Sequence, residues 1–231
     1  MEHLLSRIGD AMSMPAEKGY NPISGRRLGV LISGRGSNLQ AIIDAIRDGA
    51  LPATIATVIS NRADAAGLQR ARDHGVDAVC LSPRDHPDRD QYDRALADRL
   101  RASHVDLVCL AGFMRLIGAP MLDAFPDRIL NIHPSLLPAF PGLDAQRQAL
   151  EHGVRVSGAT VHFVDRDLDA GPIVLQSAVP VLDDDSVETL SARILVEEHR
   201  LYPLAIQRVL DGGWMIRGRR FVPRRTVDAR G

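Results

Sequence analysis

Apolar residues along this chain follow two alternating rhythms. A leucine- and β-branched-rich run over 28–33 is followed by Leu39, Ile42, Ile43 and Ile46. Their i, i+3, i+4, i+7 spacing puts them on one face of a helix that stops at Gly49. The pattern then predicts a strand over 54–60, a helix over 65–74 ended by Gly75, a short strand over 77–81, and a helix over 88–103. Tyr92, Leu96 and Leu100 share one face of the last of these. Residues 106–111 and 128–133 read as two more strands, the first almost wholly apolar, as expected for a strand buried on both faces. Strands separated by helices of this length imply right-handed crossovers and a mostly parallel, doubly wound α/β sheet.

Past Gly153 the rhythm changes. Two longer strand-like runs, 157–164 and 172–181, are joined by an acidic turn over 165–171, which predicts an antiparallel pair at the sheet edge in the C-terminal half. Residues 186–210 form a closing helix, and Pro203 inside it predicts a kink or break near Leu201. The single domain is expected over 28–211. Residues 1–27 are read as a disordered extension, and 212–231 as a tail that is a weak hairpin or disordered.

Charge narrows the function. Against 29 Asp+Glu the 231 residues carry 28 Lys+Arg, a formal net charge of −1. That balance lacks the basic excess of a nucleic-acid or anionic-membrane binder, so neither partner is expected. No apolar run approaches the ~20 residues needed to span a bilayer, and the expected location is the cytoplasm. Cys80 and Cys109 each close an apolar run and are expected to be buried, reduced thiols on core strands. No Cys-x-x-Cys or metal-spaced Cys/His set occurs, so no metal is expected.

Three segments carry chemistry. Gly34-Arg35-Gly36-Ser37-Asn38 leads from a strand into a helix N-terminus, where backbone N–H groups and the helix dipole can cradle a phosphate. It lacks the third glycine of the dinucleotide fingerprint and the Gly-Lys of the Walker loop. Ser37 with Gln40 also matches a capping box, so a simple capped turn stays open beside a small phosphorylated ligand. Asn131-Ile132-His133-Pro134 ends a strand, with Asn131 and His133 on one side, positioned to donate hydrogen bonds to a developing oxyanion in the crevice where open α/β sheets bind ligands. Asp165-Arg166-Asp167-Leu168-Asp169-Ala170-Gly171 fails the calcium-loop spacing and reads as an acidic, solvated turn. The remaining histidines, His162 among them, read mostly as surface or satisfied positions.

Taken together, residues 33–40, 110–115, 131–138, 141–143, 158–176 and Glu198-His199 resemble the folate-dependent phosphoribosylglycinamide formyltransferases, over about 28–210. The resemblance implies a Rossmann-like formyltransferase fold and formyl transfer from 10-formyltetrahydrofolate, as co-substrate, to the amine of glycinamide ribonucleotide. It implies that Asn131, His133 and Asp169 are catalytic, and that Gly36, Ser37, Asn38 and Glu198 hold the ribonucleotide. Arg89, Met114, Arg115, Leu116, Ile117, Asn131, Asp165, Arg166, Asp167, Leu168 and Asp169 would line the folate pocket, with monomer or homodimer as the assembly. Ala170 stands where many such enzymes have glycine, which would stiffen the folate-side turn. A formyltetrahydrofolate hydrolase of the same superfamily and a catalytically silent phosphate-ligand module are the competing readings. The first is disfavoured by the phosphate loop and the second by the intact Asn131, His133 and Asp169.

Overall fold

The computed structural model describes residues 17–18 and 23–224. Its strands are β1 (Glu17–Lys18), β2 (Arg27–Ile32), β3 (Thr54–Ser60), β4 (Ala78–Cys80), β5 (Leu107–Leu110), β6 (Ile129–His133), β7 (Val156–Phe163), β8 (Ile173–Pro180), β9 (Trp214–Arg217) and β10 (Arg220–Pro223). Six helices accompany them: α1 (Ser37–Arg47), α2 (Ala66–Asp73), α3 (Arg89–Ala102), α4 (Ala119–Ala124), α5 (Ala145–Glu151) and α6 (Val187–Leu210). All ten strands form one sheet, in the order β1-β9-β10-β8-β7-β6-β5-β2-β3-β4. The half from β6 to β4 is parallel, and β6/β7 and β7/β8 are antiparallel, as the two sequence rhythms imply.

Both faces of the parallel half are covered. Leu28, Val30 and Ile32 of β2 point into one core with Leu39 and Ile42 of α1 and Ile194 and Tyr202 of α6. Leu31 points the other way, against Tyr92, Leu96 and Leu100 of α3 and Met121 of α4. The two-residue alternation along β2 thus fills two cores, which is why its sequence reads as continuously apolar. The chain lays β3 and β4 on one side of β2, then returns to place β5 and β6 on the other. The direction of growth reverses between β2 and β5, so the loops after these strands open into the crevice where such sheets take ligands.

Several details depart from the sequence reading. α6 runs unbroken through Pro203, because its buried stripe of Leu190, Ile194, Leu201, Tyr202, Ile206 and Val209 outweighs the ~3 kcal/mol penalty of an internal proline. α1 has no capping box: Gly36 is its N-cap, with φ 72°, and Ser37 is already helical. Cys109 is buried but Cys80 is exposed, since β4 is the outermost strand. The terminal segments supply sheet edge: β1 pairs with β9, β9 with β10, and β10 with β8. Trp214 and Phe221 alternate inward and stack on each other and on Phe163, which anchors the β9–β10 hairpin. Of the predicted extension, 17–18 and 23–27 are described, and residues 1–16, 19–22 and 225–231 lie outside the described residues. No helix among the described residues is long and apolar enough to cross a membrane.

Candidate active site

Asn131 and His133 stand on the same side of β6 at its carboxyl end, with Ile132 turned into the core. The antiparallel register places His162 of β7 opposite Asn131. The Asn131 Nδ2 is 3.2 Å from His162 Nε2, and His162 Nδ1 is 2.8 Å from the carbonyl oxygen of Phe163. A carbonyl only accepts, so Nδ1 carries the proton and Nε2 accepts from the Asn131 amide. The amide nitrogen is thereby turned toward the ring, and its second N–H stays free for another acceptor. Burial pushes the His162 imidazole below its ordinary value, the His133 ring adding to this and the Phe163 carbonyl and Asp169 carboxylate opposing it. The neutral, accepting form of the ring follows.

His133 is held from two directions. Its Nε2–H donates to the Phe140 carbonyl at 2.8 Å, and its Nδ1 faces Asp169 Oδ2 at 3.5 Å. That carboxylate oxygen accepts the backbone N–H of Gly142 at 2.8 Å, and its partner oxygen lies 3.6 Å from His162 Nε2. Asp169 sits at φ 49°, a left-handed conformation that turns the end of the 165–171 loop back over β6 and β7. The acidic turn is therefore a solvated loop only as far as Leu168. Arg166, Asp167 and Leu168 are exposed, whereas Asp169 is drawn in beside both histidines. Asp165 accepts the N–H of Asp167, and Arg166 reaches Asp123 at 3.7 Å. Among the described residues no group of three or more His, Cys, Asp or Glu is arranged to hold a metal ion.

Two strands away from β6, the loop after β2 forms the other part of the crevice. With neighbouring strands ~4.8 Å apart, the two parts are separated by about 10 Å. Gly36 is required here twice over. Its φ is positive, and a Cβ would meet the Gly67 Cα at 2.8 Å, where the loop packs on α2. The loop delivers the N-terminus of α1, whose first backbone N–H groups have no intrahelical acceptor. Asn38, 7% exposed, donates to Glu198 Oε2 of α6 at 2.7 Å, while its own Oδ1 is buried without a partner. Burial raises the Glu198 carboxyl and the Asn38 bond partly offsets this. One turn further along α6, the Tyr202 hydroxyl lies 3.0 Å from the carbonyl of Leu110, the last residue of β5, and 3.1 Å from that of Leu130 in the neighbouring β6. Gln40, read as a cap partner, instead joins Asp44 and Arg70.

The third wall is the loop after β5. Met114 and Leu116 are 66% and 59% exposed, Arg115 stacks over the Tyr92 ring, and Ile117 is partly buried. Arg89 lies at the start of α3 beside this loop. The residue that sequence reasoning missed is His162. Only the β6/β7 register puts it beside Asn131, and a histidine flanked by Val161 and Phe163 carries no such signal in one dimension.

Residues 26–206 match the formyl transferase family, and the chain belongs to it. Within that family it is similar to the phosphoribosylglycinamide formyltransferase of Escherichia coli K12, with 48% identity over 183 residues covering 79% of this chain and 86% of that one. A solved structure, glycinamide ribonucleotide transformylase 1 from Symbiobacterium toebii, is 61% identical with a TM-score of 0.85, covering 90% of this chain and 98% of that chain. The trifunctional purine biosynthetic protein adenosine-3 of Drosophila melanogaster is 49% identical over 193 residues, 83% of this chain; the chain spans only 14% of that protein's length.

Proposed function

We propose that the protein transfers the formyl group of 10-formyltetrahydrofolate to the amine of glycinamide ribonucleotide, giving formylglycinamide ribonucleotide and tetrahydrofolate, as a cytoplasmic enzyme of purine biosynthesis. One observation carries this reading: an oriented amide and a carboxylate-backed imidazole at the end of β6 lie two strands from a glycine loop that opens on a helix N-terminus. A ribose-sized spacer bridges the ~10 Å between a phosphate at that helix and an amine beside His133.

The chemistry needs three things from the protein. Amine attack on the formyl carbon places negative charge on the formyl oxygen, and the free N–H of Asn131 meets it; a well-placed donor of this kind contributes about 3 to 4 kcal/mol. The attacking nitrogen loses a proton and the folate nitrogen that departs gains one. His133 supports this exchange through Nδ1: with Nε2–H committed to Phe140, protonation at Nδ1 makes the ring an acid, and Asp169 faces that nitrogen at 3.5 Å. Such acid-base groups typically contribute roughly 100- to 10,000-fold. No metal is required, because the developing charge is met by these donors.

Gly36, Ser37 and Asn38 hold the phosphate through backbone N–H groups, and Glu198 holds both Asn38 and the sugar or glycinamide end. Met114 to Ile117, Arg89 and the 165–169 loop take the folate. The test is turnover to tetrahydrofolate with and without the ribonucleotide. Turnover that depends on the ribonucleotide is expected. Equal rates without it would mean a hydrolase, and none at all a silent binding module.

A further inference from the structure

Helix α3 holds a buried carboxylate for which the proposed reaction has no use. Asp93 is 1% exposed, and its Oδ2 accepts the backbone N–H of Gly118 at 2.7 Å. A side chain at Gly118 would force that carboxylate to shift, since a Cβ there would stand 2.6 Å from its oxygen and 3.5 Å from Arg89 Nε. Its φ of −100° is ordinary, so glycine is present for close approach and not for conformation. Burying a carboxylate is unfavourable unless hydrogen bonds compensate, and burial does push the Asp93 carboxyl upward against the opposing influence of the Gly118 bond and of Arg89 and Arg115. The compensating bond goes to the loop and not to the core.

The same loop, 111–118, is gripped elsewhere. Tyr92, next to Asp93 and buried, carries the Arg115 guanidinium 5.2 Å above its ring. At the loop's beginning, the Ser33 N–H donates to the Gly112 carbonyl at 3.0 Å, and the Ser33 hydroxyl accepts from Met114 N–H at 2.8 Å while donating to Asn61 at 2.6 Å. Between the Ser33 and Asp93 attachments, Met114 and Leu116 stand out toward solvent. Fixing both ends of a short loop limits the positions its middle can take.

We infer that Asp93 is a positioning residue for the folate co-substrate, holding the far end of loop 111–118 so that residues 114–117 are presented to the folate in one arrangement. The inference rests on the formyl-transfer reading above.

Steady-state kinetics of the full chain in each substrate test it. Asp93→Ala is expected to raise KM for 10-formyltetrahydrofolate about tenfold while kcat and KM for the ribonucleotide stay within about twofold. Asp93→Asn, which keeps an acceptor oxygen for Gly118, is expected to recover the folate KM to within about threefold. Gly118→Ala presses a methyl group on the same carboxylate from the loop side, leaves α3 untouched, and is expected to reproduce the Asp93→Ala pattern even if that variant does not fold. Unchanged folate KM in either variant, or kcat and both KM values altered alike, overturns the inference. So does failure of both variants to fold, because the pair would then hold the fold and not the loop. If the unsubstituted protein lacks formyl transfer, the functional reading falls on its own account. The inference is then read by calorimetric titration with tetrahydrofolate, which Asp93→Ala must bind about tenfold more weakly.

Discussion

His162 orients Asn131. Across the β6–β7 pairing its Nε2 accepts the amide N–H at 3.2 Å, and it can only accept because its Nδ1–H is committed to the Phe163 carbonyl. The amide proposed as the oxyanion donor is therefore aimed by a histidine that need never touch the substrate.

Replacing His162 by Phe fills the same space without an acceptor and frees the Asn131 amide to turn over. The expected result is a kcat lower by about tenfold or more with both KM values nearly unchanged, smaller than the loss on removing an oxyanion donor outright. Steady-state assays decide it, and an unaltered kcat would refute the orienting role.

His133 Nδ1 and Asp169 Oδ2 face each other across 3.5 Å, and the proposed mechanism uses them as one unit. His133→Ala and Asp169→Ala are each expected to lower kcat by roughly 100- to 10,000-fold while circular dichroism reports a retained fold. The double variant should lose little more than the worse single one, since either change already dismantles the pair. Multiplicative losses would mean that the two residues work separately.

Gly36 combines a positive φ with contact against Gly67. Gly36→Ala is expected to cost about 1–3 kcal/mol in urea denaturation. KM for the ribonucleotide should rise more than KM for the folate. The opposite ranking would exchange the two substrate sites.

Asn38 donates to the Glu198 carboxylate, which is 8% exposed. Asn38→Ala leaves that carboxylate buried without its donor and should destabilise the protein by about 1–3 kcal/mol. The sign of the pH effect follows from burial. Glu198 titrates above its unfolded value, so its contribution is favourable at low pH and is lost as pH rises through the folded value. The Asn38→Ala penalty should consequently be larger at pH 8 than at pH 5, and a penalty independent of pH would exclude this origin.

His162 works in the other direction. Its folded value lies below the ordinary imidazole value of about 6.5, so the unfolded chain takes up a proton first as pH falls. Stability should be fully present above about pH 6.5 and decline below it, with a shallower decline in His162→Phe. Denaturation midpoints measured across pH 5 to 8 provide the comparison.

Much of this was legible in one dimension. The helical face of Leu39, Ile42 and Ile43 and the apolar strand 107–110 follow from period alone, because both report local geometry and burial. The short helices α4 and α5, six and seven residues long, offered too few turns to show a period. Pro203 suggested a break because local propensity could not count the packing that keeps α6 continuous. The Ser37–Gln40 pair misled because a left-handed Gly36 had already taken the capping position.

The sequence by itself determined the alternation that makes a parallel sheet with an antiparallel side, the glycine loop before α1, and the placing of Asn131 and His133 at a strand end, all of which depend on neighbours along the chain. Tertiary structure alone decided that His162 faces Asn131, that Asp169 turns inward beside two histidines, and that Asp93 reaches Gly118. The first joins residues 31 positions apart, the inward turn of Asp169 reaches His133 across 36, and the last spans 25. They arise from strand register and helix packing, and a one-residue shift in the β6–β7 register would send His162 to the opposite face of the sheet.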